Sequence, residues 1–110
     1  MIGCPVFTPY TQDNEINTKI IEQQAELLKM LEFDLALVGG TTGEWALLTL
    51  EERIKLIKTW AKQKIKVLAH VSDPCIKNVH TLVDVCKQCK IWAILICHNK
   101  FLKLMMSQTI

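Results

Sequence analysis

Two hydrophobic patterns alternate along this chain. Short, mainly apolar runs occupy residues 4–8, 35–38, 65–71 and 91–97. Runs of that length between turn-forming residues suit strands of a parallel sheet, and 35–38 is wholly apolar, as a strand buried on both faces should be. Between the runs, apolar residues recur every three or four positions, the spacing of one helix face. The first such stretch has Asn17 or Thr18 as its cap and Ile20, Ile21, Gln24, Leu27, Leu28 and Leu31 on the predicted inward side. The second opens with Thr49-Leu50-Glu51-Glu52, in which the Thr hydroxyl can accept an early helix N–H while Glu52 reaches back. Ile54, Ile57 and Ala61 follow at helical spacing, with Leu56 and Trp60 alongside. The third follows Asp73-Pro74 and carries Val79, Leu82, Val83 and Cys86.

Strand starts recur at intervals of about thirty residues, the length of a βαβ unit. The pattern therefore predicts an α/β fold of four parallel strands joined by three crossover helices. No internal repeat, low-complexity tract or linker interrupts it.

Composition narrows the classes of function. Half of the 110 residues are hydrophobic and the net charge is +2, too small to point to nucleic acid or to an anionic membrane surface. The longest unbroken apolar run, 91–97, is far too short to span a bilayer. No basic-then-apolar leader opens the sequence, so a secretory signal is not expected, and the cytosol is the simplest compartment. The five cysteines, Cys4, Cys75, Cys86, Cys89 and Cys97, form no regular framework and are expected to stay reduced there.

The chemistry concentrates in Gly40-Thr41-Thr42-Gly43-Glu44, directly after the second predicted strand. Two glycines let a backbone turn sharply and bring its N–H groups to a ligand, and the two hydroxyls between them can complete a small anion site. Such a loop could hold a carboxylate. The same composition also describes strand-to-helix loops that bind nothing.

The surroundings of the loop carry a resemblance. Gly3-Cys4-Pro5-Val6-Phe7-Thr8-Pro9-Tyr10, Glu15-Ile16-Asn17, the Gly40–Glu44 loop, Leu48-Thr49 and Glu52-Arg53 occur in an order that resembles the pyruvate-dependent class I aldolases. This is the family of dihydrodipicolinate synthase and N-acetylneuraminate lyase. Trp60 and the pair His70-Val71 look more like the lyase branch. The likeness is dense from Gly3 to about Val71, looser to about Cys97 and absent from the last dozen residues.

The resemblance implies a TIM (β/α)8 barrel, a fold that takes about 250 residues. On that reading, 1–97 are the N-terminal half of a barrel and 98–110 an unmatched tail. It implies a lysine that forms a Schiff base with the keto carbon of pyruvate or of the substrate, and a tyrosine that moves protons. Thr41 would join the proton relay and Thr42 would bind the pyruvate or sialic acid carboxylate. Gly40, Gly43 and Glu44 would support the loop, Glu44 through hydrogen bonds rather than as a general base. The implied reaction splits sialic acid into N-acetylmannosamine and pyruvate, with no metal or organic cofactor, in a cytosolic homotetramer. Dihydrodipicolinate synthase or 4-hydroxy-2-oxoglutarate aldolase chemistry is the runner-up. The implied lysine belongs to a sixth strand and the tyrosine to a fifth, while only four are predicted. Lys55, Lys58, Lys62 and Lys64 lie on or beside the second helix, and Lys100 and Lys103 in the tail. The 110 residues alone are therefore expected to be inactive, and to act, if at all, by association or self-association.

Several positions depart from the family pattern. A turn of the type Gly-Ala-Asp-Gly is replaced by Lys90-Ile91-Trp92-Ala93, which should strain the turn or expose an indole. Trp45 stands where the lyase branch has a small residue. His98-Asn99-Lys100 resembles the synthase branch and Phe101-Leu102-Lys103 the lyase branch, and the two readings stay open. Cys86-Lys87-Gln88-Cys89 with Cys97-His98 could present four zinc ligands, but the spacing suits no usual zinc ribbon and Cys86 falls on an apolar helix face. His70 reads as a hydrogen-bonded structural residue rather than a substrate contact, and His80 as solvated. Lys55, Lys58, Lys62, Lys64 and Lys66 read as an exposed helix face without an aromatic platform.

Overall fold

A computed structural model describes residues 1–40, 44–98 and 101–106, with side chains described through residue 96. In chain order the elements are β1 (Gly3–Pro5), α1 (Thr18–Met30), β2 (Leu35–Val38), a 3₁₀ turn (Trp45–Leu47), α2 (Leu50–Ala61), β3 (Lys66–His70), α3 (Ile76–Gln88), β4 (Ala93–His98) and β5 (Phe101–Met106). The five strands form one sheet in the order β1-β2-β3-β4-β5. β1 to β4 pair in parallel, each joined to the next through a helix, which is the arrangement of a β/α barrel's first strands.

β1 is an edge strand, which is where Pro5 costs no ladder bond. It is shorter than the predicted 4–8, although the Val6 N–H extends the ladder to the Leu37 carbonyl at 3.1 Å. β2 matches its predicted run residue for residue. Alternation along β2, β3 and β4 sends Ala36, Val38, Val67, Ala69 and Ile94 into the core beneath the helices. Ile21, Ala25 and Leu28 of α1, Leu56, Ile57 and Trp60 of α2, and Leu82, Val85 and Cys86 of α3 meet them there. The intervening Leu37, Leu68 and Leu95 lie on the opposite face and are only half-buried.

The helix starts follow the local chemistry. Asn17 Oδ1 accepts the Ile20 N–H at 3.2 Å, so Asn17 rather than Thr18 caps α1. At α2 the capping box is complete: the Glu52 N–H donates to Thr49 Oγ1 at 3.1 Å, and the Thr49 N–H to Glu52 Oε1 at 2.9 Å.

Three expectations need correction. Leu27 and Leu31 do not face inward; they are 53% and 60% exposed, because α1 meets the sheet through Ile21, Ala25 and Leu28. The sheet has more than the four predicted strands, since a fifth, β5, pairs antiparallel with the whole of β4, from Ala93↔Met106 to His98↔Phe101. The lysine set does have an aromatic neighbour: Lys66 Nζ sits 5.5 Å from the centre of the half-buried Trp92 ring. The expected strain at 90–93 is present, with Lys90 held at φ 56°.

Candidate functional site

Parallel strands joined by helices bring every strand-to-helix loop to one end of the sheet, the end where β/α barrels carry their chemistry. Gly39 and Gly40 follow β2 there. The left-handed glycine is Gly39, at φ 71°, where a side chain would be strained. Gly40 needs no such freedom, and a Cβ on it would lie at ordinary contact distance, 3.6 Å, from Leu37. The turn that the sequence assigns to Gly40 is therefore made one residue earlier. Thr41, Thr42 and Gly43 lie outside the described residues, so their sequence-assigned roles have no geometry here.

Glu44 closes the loop with φ 60°, a conformation rarely taken by a residue with a side chain. It is exposed, and its carbonyl accepts the Leu47 N–H at 2.9 Å, so its described part in the loop is played by the backbone. The Trp45 N–H donates to the Gly40 carbonyl at 3.3 Å and spans the loop from one end to the other. Tyr10, on the β1 side, has its phenol pushed up by partial burial and then by the charges of Glu52 and Glu44. The carboxylates of the loop and of the α2 capping box therefore both act on Tyr10.

A buried arginine organises the other side. Arg53, in the first turn of α2, is 2% exposed. Its Nη1 donates to the Ser72 carbonyl at 2.8 Å and to Asp73 Oδ2 at 3.3 Å, and its Nη2 donates to the His70 carbonyl at 2.9 Å. Burial is the main pull lowering its pKa, opposed by Asp73, and the guanidinium stays charged. Its carbon centre lies 5.3 Å from the Trp45 ring, and Trp45 in turn lies 5.3 Å from the His70 ring. Asp73 is itself fixed, accepting the Cys75 N–H at 2.8 Å and Asn78 Nδ2 at 3.2 Å.

His70 is buried and hydrogen-bonds the Gly39 backbone, while its Nδ1 has no partner among the described residues. Burial first, and the Arg53 charge second, hold its pKa below 6.5, so it is neutral at pH 7. This environment agrees with the structural reading of His70. Cys86 is fully buried in the core, with its thiol pushed up to about 12, chiefly by burial, as suits a small core residue. His80 is exposed, as expected. The side chains of Cys97 and His98 lie outside the described residues, and no group of three or more metal-ligating side chains occurs among those described.

Sequence reasoning passed over Arg53 as a structural centre. The signal was its spacing from Ile57 and Trp60, which puts a charge on the buried face of α2.

The profile of the Dihydrodipicolinate synthetase family matches residues 1–97. This chain belongs to that family. It is 31% identical over 86 residues to a 4-hydroxy-tetrahydrodipicolinate synthase of Brachyspira hyodysenteriae, covering 78% of this chain and 29% of that protein. It is 32% identical over 102 residues to an N-acetylneuraminate lyase of Xenopus tropicalis, covering 88% of this chain and 33% of that protein. The crystal structure of dihydrodipicolinate synthase from Aquifex aeolicus superposes with a TM-score of 0.81 at 26% identity, over 86% of this chain and 33% of that one. The chain thus spans about a third of the length of the relatives it matches.

Proposed function

We propose that these residues form the carboxylate-binding part of an N-acetylneuraminate lyase-like Schiff-base aldolase. The observation that carries the proposal is the position of the Gly40–Glu44 loop at the C-terminal end of β2, closed by the Trp45 N–H on the Gly40 carbonyl. Thr42, with the loop backbone, binds the carboxylate of pyruvate or of sialic acid, and Thr41 joins the proton relay. Trp60 and His70-Val71 favour the lyase branch. The complete protein uses a lysine Schiff base and no metal or organic cofactor, in a cytosolic homotetramer. None of the lysines in the 110 residues stands in the Schiff-base context, so this stretch alone does not cleave sialic acid. The likeness to the Brachyspira synthase supports a second reading, in which the same loop serves a dihydrodipicolinate synthase or 4-hydroxy-2-oxoglutarate aldolase relative.

The test is direct. Purified chain incubated with N-acetylneuraminate should release no more pyruvate than a Thr42→Ala control. Pyruvate titrated into isotope-labelled chain should shift the amides of Gly40 and Glu44, and Thr42→Ala should abolish the shift. Pyruvate release above the control, or a borohydride-trapped pyruvate adduct on any lysine, would overturn the predicted inactivity. Unshifted amides would overturn the carboxylate assignment.

A further inference from the structure

We propose that Arg53 is a positioning residue that couples the loop after β2 to the loop after β3, and that Trp45 carries the coupling into the carboxylate loop. This rests on the carboxylate reading above and adds how that loop is held. Arg53 starts on a helix, yet its hydrogen bonds go to the exit of β3: the carbonyls of His70 and Ser72 and the carboxylate of Asp73. Both of its terminal nitrogens are engaged, so the planar fork is fixed in the protein. Against that fixed guanidinium rests the Trp45 ring, at 5.3 Å, within the range of a cation–π contact. The backbone N–H of Trp45 holds the Gly40 carbonyl, so the same residue that meets the guanidinium also sets the width of the loop. His70 closes the circuit, touching Trp45 with its ring and Gly39 through its hydrogen bond.

The chemistry constrains what can replace these groups. Lysine keeps the charge but cannot serve the His70 and Ser72 carbonyls with a planar fork. Methionine fills the stem volume but removes the donors that Arg53 gives to the His70 and Ser72 carbonyls. Trp45 is half-buried, and its removal leaves the Arg53 hydrogen bonds intact. The two positions therefore separate the tether from its transmission.

The experiment follows amide hydrogen exchange and pyruvate-induced amide shifts in the chain, Arg53→Lys and Trp45→Ala. In Arg53→Lys, exchange should quicken together at 39–45 and at 70–73, while the core of α3 keeps its protection. In Trp45→Ala it should quicken at 39–45 alone. Pyruvate should bind Trp45→Ala about three- to tenfold more weakly, the change expected for one lost cation–π contact, with the thermal transition retained. Unchanged exchange at 39–45 in Arg53→Lys, or pyruvate affinity in Trp45→Ala equal to that of the parent, would overturn the coupling. Should pyruvate shift no amide of the parent chain, the carboxylate reading falls, and exchange alone decides the tether. If Arg53→Lys does not fold, loosening of 70–73 in Trp45→Ala is the overturning result, because it would place the restraint on β3 in the indole rather than in the guanidinium.

Discussion

Cys86 shows how far burial can move a single residue. Its thiol is fully enclosed by the core and pushed from 9.0 to about 12, chiefly by desolvation and next by Cys89. Between those two values the unfolded chain gives up the thiol proton and the folded chain keeps it. The unfolded state then binds fewer protons, so stability falls as pH rises through that window, by at most ~1.4 kcal/mol per pH unit. Urea unfolding followed from about pH 8 to about pH 10.5 should show that slope in the parent and lose much of it in Cys86→Ala. Parallel slopes would mean that the thiol ionises equally in both states. The burial of Cys86 was legible in the sequence because it continues the Val79-Leu82 stripe. For Arg53 the spacing from Ile57 and Trp60 marked the buried face, but its partners, 17 to 20 residues away in sequence, were not legible.

Helix ends and strand runs mark the limits of local reading. β2 and the α2 capping box were legible because each depends on neighbours within a few residues. The inward face of α1 was only half legible: periodicity gives the side of a helix that is apolar, but not which of those residues the sheet reaches. β5 was missed because strand formation depends on a partner edge, here that of β4. The helix C-termini carry a testable strain. α1 ends with the Phe33 N–H on the Leu28 carbonyl at 3.0 Å and the Glu32 N–H on Lys29 at 3.1 Å, and α3 ends the same way through Ile91 to Cys86 and Lys90 to Lys87. These are Schellman closures, which require a left-handed residue, and that residue is Glu32 at φ 63° and Lys90 at φ 56° rather than glycine. Glu32→Gly and Lys90→Gly should each stabilise the fold by about 0.5–1 kcal/mol, the relief of the Cβ penalty less the added freedom of the unfolded chain. Lying at separate ends of the sheet's helical layer, the two should add nearly independently. Denaturant midpoints with an unchanged slope would measure it, and a loss of stability in both would show that those closures are not kept in solution.

At the scale of the whole molecule, the three crossover helices cover one face of the sheet and leave the other with Leu37, Leu68 and Leu95 half-buried. A second apolar surface runs along the outside of α1, where Leu27, Met30 and Leu31 are 53%, 78% and 60% exposed. Those three side chains lie on adjacent positions of one helix face, so they act as a patch rather than as scattered surface residues. At the sheet's margin, β1 is short and carries Pro5, which weakens it as a template for a further strand. Association should therefore run through these faces more than through the β1 edge. The chain should self-associate as its concentration rises, and Leu27→Glu with Met30→Lys should shift the equilibrium toward monomer without loss of helical signal. Sedimentation velocity across a concentration series reads the change directly. A parent that stays a single monomeric species throughout, with a cooperative thermal transition, would show that the exposed leucines and methionine are tolerated as ordinary surface and that the half-barrel is self-sufficient.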